Sequence, residues 1–311
     1  MGVYGTSIRF IYRKEISIME DYKLTLFDRL NVIRDTINKY GEDKFYIAFS
    51  GGKDSAVLHY LIDMAVPNNQ IPRVYVDTGI GLNMIDEFVR ELSENDKRII
   101  TIKSNVTIKK ALEQFGYPVK SKIHSFLLEK YQRIGMTKGV KNYLGVGDNP
   151  HLRMCPNVLR YQFTPEFKIP VSDKCCKILK EQPMENWQKE NNKPITITGI
   201  MAEEGGRRWH AKCIVKNGKT LYFNPLAKAN KEFEDWFIRE YNLKICDIYY
   251  PPYNAERTGC KGYPFALHLQ NELDFLEKYF PNERKQCEII WKPIYEEYRK
   301  HNYRLKGDKH E

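Results

Sequence analysis

Apolar positions along the chain alternate between two periods. Leu26, Leu30, Ile33 and Ile37 recur at helical spacing, and Gly41 follows as a stop signal. Phe45-Tyr-Ile-Ala-Phe49 is a short apolar run, the pattern of a buried strand. Val57, Leu58, Leu61, Ile62 and Ala65 return to helical spacing until Pro67 halts them. Arg73-Val-Tyr-Val-Asp77 predicts a second strand, Ile85, Phe88, Val89 and Leu92 a helix, and Arg98-Ile-Ile-Thr-Ile102 a third strand. Strand and helix alternating across short joints predict an α/β fold with a doubly wound, mostly parallel sheet. The next strand, Pro194-Ile-Thr-Ile-Thr-Gly199, comes after a long intervening segment. Phe265, Leu269, Leu273 and Leu276 share one helical face, and Ile290, Ile294 and Tyr298 begin another. The pattern divides the chain into a helical segment at 1–41, a sheet domain at 42–264 and C-terminal helices at 265–311.

Composition narrows the class. The chain has 311 residues, 42% of them apolar and 13% aromatic, which is globular rather than disordered. No run approaches the roughly 20 apolar residues of a membrane span. Arg9, Arg13, Lys14 and Glu15 interrupt the first residues, unlike a secretory signal. Seven cysteines, an odd number, do not read as a disulfide scaffold, so a reducing, cytoplasmic setting without membrane attachment is expected.

Net charge is +10, and the excess is concentrated. A basic insertion at about 117–170 carries Lys120, Lys122, Lys130, Arg133, Lys138, Lys141, Arg153 and Arg160 between Tyr117 and Arg160, against Glu129 and Asp148. Phe126, Tyr131 and Tyr143 are interleaved, a pattern that suits nucleic-acid phosphates and bases and equally a solvated face.

The chemistry begins where the first strand runs into Ser50-Gly-Gly-Lys-Asp-Ser55. Gly51 and Gly52 let the backbone turn and bring its N–H groups close to a phosphate, Ser50 and Ser55 add hydroxyls, and the following helix offers its positive end. The spacing differs from the Walker loop, whose glycines stand further apart and end in Gly-Lys-Ser/Thr. In a parallel sheet ligands bind beyond the carboxyl ends of the strands, which places Asp77-Thr78-Gly79 on the same rim. Asp77 has two readings there, a contact to ribose or metal and a cap. Cys175 and Cys176 are adjacent, and a distant Cys260 can join them on one metal centre, zinc or iron–sulfur.

These motifs, in order, carry a resemblance. Ser50-Gly-Gly-Lys-Asp-Ser55, Asp77-Thr-Gly79, Cys175-Cys176-x-x-Leu-Lys180, Gly199-Ile-Met-Ala-Glu-Glu204 with Arg207-Arg208, Asn224-Pro-Leu226 and Arg257-Thr-Gly-Cys260 resemble the phosphoadenosine phosphosulfate (PAPS) reductase family. That family lies within the PP-loop ATP pyrophosphatases, which have the adenine nucleotide alpha-hydrolase-like fold. The resemblance covers roughly residues 42 to 270. It implies an adenosine nucleotide, ATP or a sulfonucleotide with Mg²⁺, around Ser50, Gly51, Gly52, Lys53, Asp54, Ser55, Asp77, Thr78 and Gly79. It implies catalytic roles for Lys53, Asp54, Arg207 and Arg208, the arginines gripping phosphate or sulfate. The bland alternative for Arg207 and Arg208 is an ion pair with Glu203 or Glu204.

The chain departs from the family's pattern twice. Iron–sulfur members carry a later Cys-x-x-Cys; here Tyr263 replaces the last cysteine, leaving Cys175, Cys176 and Cys260 as metal ligands. Either the cluster is lost, or a [4Fe–4S] cluster survives on three cysteines with one iron open to sulfide, or Cys155, Cys213 or Cys246 supplies a fourth ligand. Family reductases also attack with a C-terminal cysteine, whereas the residues from His301 to Glu311 hold none and Cys287 lies in a helical apolar pattern that reads as packing. The resemblance therefore favours ATP cleavage to AMP and pyrophosphate coupled to sulfur transfer, with a sulfur-donor protein and a nucleic acid as partners. Thiol-dependent reduction of PAPS or adenylyl sulfate, and a non-catalytic nucleotide-binding partner in a complex, are the alternatives. The histidines His59, His124, His210 and His268 show no metal-ligand spacing and read as structural or surface residues.

Overall fold

The computed structural model describes residues 4–149, 154–204, 212–218 and 220–307, with side chains described from Asp21 onward and not for Glu204. Contacts sort the chain into two compact units. The first comprises Met1–Val76, Met84–Ile102 and Met184–Ala255; the second comprises Asp77–Asn83, Lys103–Pro183 and Glu256–Glu311.

The first unit carries the sheet. Its elements are α1 (Tyr4–Tyr40), β1 (Phe45–Phe49), α2 (Lys53–Ala65), β2 (Arg73–Asp77), α3 (Asn83–Asn95), β3 (Ile99–Lys103), α7 (Gln182–Glu190), β4 (Ile195–Ile197), β5 (Ile214–Asn217), β6 (Thr220–Phe223) and α8 (Lys231–Glu240). The six strands stand in the order β3-β2-β1-β4-β6-β5. β1 pairs in parallel with β2 and with β4, β4 pairs in parallel with β6, and β5 alone is shown antiparallel, to β6. The sequence pattern thus predicts the α/β class and β1 to β4. It misses the β5–β6 hairpin, because all four β5 residues are exposed and carry no alternation.

Phe45, Ile47, Val57, Leu58, Leu61, Ile62, Val74 and Ile197 are buried, and α1 adds Ile33 and Ile37 as its spacing predicts. The chain leaves β1 toward β2 and β3 on one side and reaches β4 on the other. The strand order therefore reverses between β1 and β4, where open parallel sheets take ligands beyond the strands' carboxyl ends. The opposite edge is closed by an ion network. Asp63 accepts from Arg73 Nη2 at 2.6 Å and from Arg98 Nη1 at 2.7 Å, and Arg73 Nε donates to His59 Nδ1 at 3.1 Å. His59, Asp63 and Asp96 form the group among the described residues whose three ligand atoms lie within 4.8 Å of one another. The two guanidinium groups already occupy those carboxylates, and burial with Arg73 beside it holds His59 down to about 4, so the site is a salt-bridge knot.

The second unit is helical: α4 (Ile108–Phe115), α5 (Lys122–Ile134), α6 (Lys138–Leu144), a π-helical turn at Lys177–Glu181, then α9 (Leu269–Tyr279), α10 (Pro281–Ile290) and α11 (Lys292–Lys300). Thr107, Ser121 and Thr137 cap α4, α5 and α6 through their side-chain oxygens. The basic insertion is more internally committed than its charge suggests. Tyr143 is 1% exposed and accepts from Lys120 Nζ at 3.0 Å, Tyr131 packs on Phe163, and Arg160 donates to Leu144 O. Of the three interleaved aromatics Phe126 is the exposed one. Tyr143 is a core residue, because its hydroxyl completes the hydrogen bonding of the buried His124. Arg153 lies outside the described residues.

Candidate functional site

β1 is buried along most of its length and delivers the chain to Ser50. Gly51 then turns with φ +71°, and a methyl group there would meet Ile85 Cγ2 and Val89 Cγ2, each at 2.8 Å. Only glycine fits both the left-handed backbone and that space. Gly52 returns to an extended conformation as the N-cap of α2. Serine hydroxyls brace the turn: Ser50 N donates to Ser55 Oγ at 3.2 Å, Gly52 N to Ser50 Oγ at 3.3 Å, and Ser55 Oγ to Gly52 O at 2.9 Å. Lys53 N donates to Tyr249 Oη at 3.1 Å. The six loop residues therefore form one braced turn, with amides and hydroxyls at the positive end of a 13-residue helix.

Acidic residues of α8 complete it. Lys53 Nζ lies 2.9 Å from Asp235 Oδ1 and 3.0 Å from Glu234 Oε2. Burial pulls the Lys53 ammonium down, but these partners outweigh it and hold its pKa up at about 12. Glu234 is 1% exposed, and burial, with the Asp54 carboxyl beside it, pushes it up to about 8. Asp235 is more than half exposed and pairs with Lys53 at the surface, while burial favours the protonated form of Glu234. Neither Glu234 oxygen finds a well-directed partner among the described residues. On the other side Asp54 is met by the chain leaving β4, since a methyl at Gly199 would stand 3.0 Å from Asp54 O.

Glu234, Asp235 and Tyr249 are absent from the motif reading. Glu234 had a signal: it shares the apolar stripe of α8 with Phe233, Phe237 and Ile238, a place where a carboxylate is costly unless used.

Other predicted residues have separate surroundings. Asp77 ends β2; its Oδ1 accepts from Gly79 N at 3.0 Å and its Oδ2 pairs with Lys103 Nζ at 3.3 Å. That turn caps itself, and nothing crowds the position of a Gly79 methyl. Arg207, Arg208 and His210 lie outside the described residues. Glu203 accepts from Lys231 N at 2.7 Å, so its carboxylate is engaged at the start of α8. Asn224 accepts from Thr198 Oγ1 at 2.5 Å and donates to Lys212 O at 2.9 Å, tying β4 to β6.

In the second unit the three predicted cysteines lie within electrostatic reach of one another and of Tyr263. Tyr263 Oη stands 3.6 Å from Cys176 Sγ. Burial first, then the neighbouring thiols of Cys176 and Cys260, push the Cys175 thiol above its usual range. Burial and Cys176 push Cys260 up to about 11, with Lys180 pulling the other way. The Tyr263 hydroxyl is raised by burial and by all three thiols. The Cys-Cys pair opens a helix that widens at once into the π-helical turn, an irregularity frequent at functional sites. The sulfurs of Cys175, Cys176 and Cys260 do not all lie within 4.8 Å of one another, which is too wide for a single tetrahedral ion as they stand. The other cysteines are engaged elsewhere: Cys155 Sγ with Pro156 O, Cys213 Sγ with Arg29, and Cys246 Sγ with Met84 O. Cys287 is fully buried in α10, as its pattern predicts.

With this geometry in hand, comparison with known proteins defines the class. The chain matches the phosphoadenosine phosphosulfate reductase domain over residues 44–148 and 157–264 and belongs to that family. It is 33% identical over 99 residues to the glutamine-hydrolysing GMP synthase of Thermosipho africanus, a match covering 31% of this chain and 18% of that protein. The chain therefore spans less than a fifth of the curated relative's length. The ATP complex of Candida glabrata FMN adenylyltransferase superposes with a TM-score of 0.46 at 14% identity, over 75% of this chain and 59% of that one. The phosphate complex of Candida auris PAPS reductase gives 0.40 at 11% identity, over 70% and 88%. The NH3-dependent NAD synthetase of Campylobacter jejuni gives 0.39 at 13% identity, over 89% and 95%. Among the described residues no helix is long and apolar enough to cross a membrane.

Proposed function

We propose that this PAPS-reductase-family chain is an enzyme that binds ATP at Ser50–Ser55 and cleaves it to AMP and pyrophosphate, transferring sulfur to an acceptor it first adenylates. The observation that carries the reading is the carboxyl pair of half-buried Asp54 and buried Glu234 beside Lys53 at the start of α2. A nucleotide phosphate arriving at the loop offers Lys53 a better partner than Asp235, so the ammonium moves onto the phosphates and leaves the carboxyl pair unbalanced. The freed Glu234 oxygens and Asp54 are hard donors that fit Mg²⁺, which when bound would supply charge neutralisation for the departing pyrophosphate. To hold that cation Glu234 would release its proton to solvent. The loop amides and serine hydroxyls exchange their internal bonds for phosphate oxygens, and Lys53 holds the developing negative charge. Arg207 and Arg208 remain candidates for the second anion grip. Cys175, Cys176 and Cys260 would hold a [4Fe–4S] cluster in the same protein, since a cluster spans sulfurs set wider than one ion can.

The family itself favours a second reading, thiol-dependent release of sulfite from PAPS or adenylyl sulfate. Cys287 does not serve it: the side chain is fully buried, and burial raises its thiol to about 12, far from a nucleophile's range. Nucleic-acid and sulfur-donor partners, and a cytoplasmic location, belong to the first reading as proposals. The test is pyrophosphate release from ATP with Mg²⁺, expected in the wild type and abolished by Asp54→Ala. Sulfite release from a sulfonucleotide and a thiol donor, without pyrophosphate from ATP, would transfer the assignment to the second reading.

A further inference from the structure

We infer that the outer face of the α5–α6 pair binds single-stranded nucleic acid, with Phe126 stacking on a base and Lys130, Arg133, Lys138 and Lys141 meeting phosphates. What the strand would be for rests on the proposed function; that it binds rests on this surface alone. The fold divides the basic insertion in two. One side of α5 and α6 is core: Leu127, Leu128, Val140 and Tyr143 are buried, and a methyl at Gly139 would touch Leu127 Cδ2 at 3.6 Å. That side also absorbs Lys120, whose ammonium donates to Tyr143, and Arg160, which donates to Leu144 O. The remaining cations face outward. Arg133, Lys138 and Lys141 are exposed and Lys130 is half-buried, and none of the four has an acidic partner among the described residues. Glu129, the one acid of the two helices, is already held by Lys174 Nζ at 2.7 Å. Like charges without counter-ions of their own raise a positive potential that a polyanion relieves.

Apolar groups on the same face narrow the choice of polyanion. Phe126, Lys130 and Arg133 recur at i, i+4 and i+7, so ring and cations share one side of α5. Phe126 is 52% exposed, and Ile134 at 56% and Met136 at 45% stand where α5 gives way to α6. A phenyl ring left in water is unfavourable, and it matches the face of an unpaired base whose phosphates the cations one and two turns away can meet. A duplex hides those base faces in its own stack and would leave the ring unused. An anionic membrane is a poorer match: a helix lying in the interface needs a continuous apolar face, and in α5 Leu127 and Leu128 are spent on the core.

The test is fluorescence anisotropy of short, labelled single strands of mixed sequence with the full-length protein, DNA and RNA in parallel to separate the two sources of that chemistry. Four phosphate contacts predict an affinity that falls with a log–log slope of about −3 in salt, roughly 50-fold between about 50 and 200 mM. Phe126→Ala is expected to weaken binding roughly 5- to 150-fold with the slope unchanged, and Phe126→Trp to keep it. Lys130→Gln with Arg133→Gln should flatten the slope by about 1.4. Lys278→Gln with Lys285→Gln removes the same charge from exposed positions of α9 and α10 and should leave the slope as it is. None of these side chains is buried, so the variants probe the surface rather than the fold. Absence of binding at about 50 mM salt, wild-type affinity in Phe126→Ala, an equal loss from the Lys278 and Lys285 pair, or a duplex bound as tightly as the single strand overturns the inference. So does binding to phosphatidylserine vesicles without binding to either strand. Pyrophosphate release from ATP by the same samples reports on the nucleotide reading separately.

Discussion

Replacing Gly51 by alanine isolates the two demands that the phosphate loop makes on its first glycine. The left-handed φ of +71° costs an alanine about 1–2 kcal/mol. The new methyl would also stand 2.8 Å from Ile85 Cγ2 and from Val89 Cγ2, well inside the roughly 3.5–4.0 Å of a normal carbon contact. Overpacking of that kind adds about 1–3 kcal/mol, for a total of about 2–5 kcal/mol. Gly79→Ala is the internal control: φ is +67° but nothing lies within 4 Å, so it carries the backbone cost alone. The assay is urea unfolding of Gly51→Ala, Val89→Ala, their double variant and Gly79→Ala, compared at constant slope. Removing Val89 Cγ2 makes room for the new methyl, so the double variant should be more stable than the sum of its parts by about 1 kcal/mol or more. Additivity within about 0.5 kcal/mol, or equal costs at Gly51 and Gly79, would refute the reasoning. ATP binding should fail in Gly51→Ala, because relieving the clash moves the loop amides away from the phosphates.

Two further outcomes follow from buried charges. Glu234 holds its proton up to about 8 in the folded protein, against a normal value of 4.5, so between those values the native state binds a proton that the unfolded chain has released. Stability therefore falls as pH rises through that window, by at most about 1.4 kcal/mol per pH unit, and Glu234→Gln should remove that slope; parallel urea-midpoint curves against pH would show that Glu234 does not titrate there. Lys261→Met should cost about 3–5 kcal/mol by leaving Glu283 buried without a counter-charge, and Lys261→Met with Glu283→Leu should recover most of it in a double-mutant cycle.

The loop was legible because its function is written in backbone chemistry: two glycines between an apolar strand and a helix leave few other structures. The first three strands, β4 and the C-terminal helices announced themselves by period. Glu234 stayed hidden because its partners Lys53 and Asp54 are about 180 positions away, and only the fold brings α8 beside α2. Tyr143 was misjudged for the converse reason. Its neighbours in sequence are cations, while its surroundings in space are His124, Phe163 and Cys155. The sequence raised Cys175, Cys176 and Cys260 as partners, but the turn of the Tyr263 hydroxyl toward Cys176 was not legible in it.

Trp291, Tyr295 and Tyr298 grip the segment Lys261–Pro264 by its carbonyls, not by its side chains. Gly262 must stay a glycine, since its φ is +58° and a methyl there would strike Tyr295 and Cys287. Lys261 must stay paired with Glu283. Position 263 is held differently, through its ring, which lies edge-on to Phe265 and Trp291. The path of the main chain and the filling of the space beside it are thus assigned to different atoms, and an exchange at 263 that keeps an aromatic ring leaves the support beneath it standing.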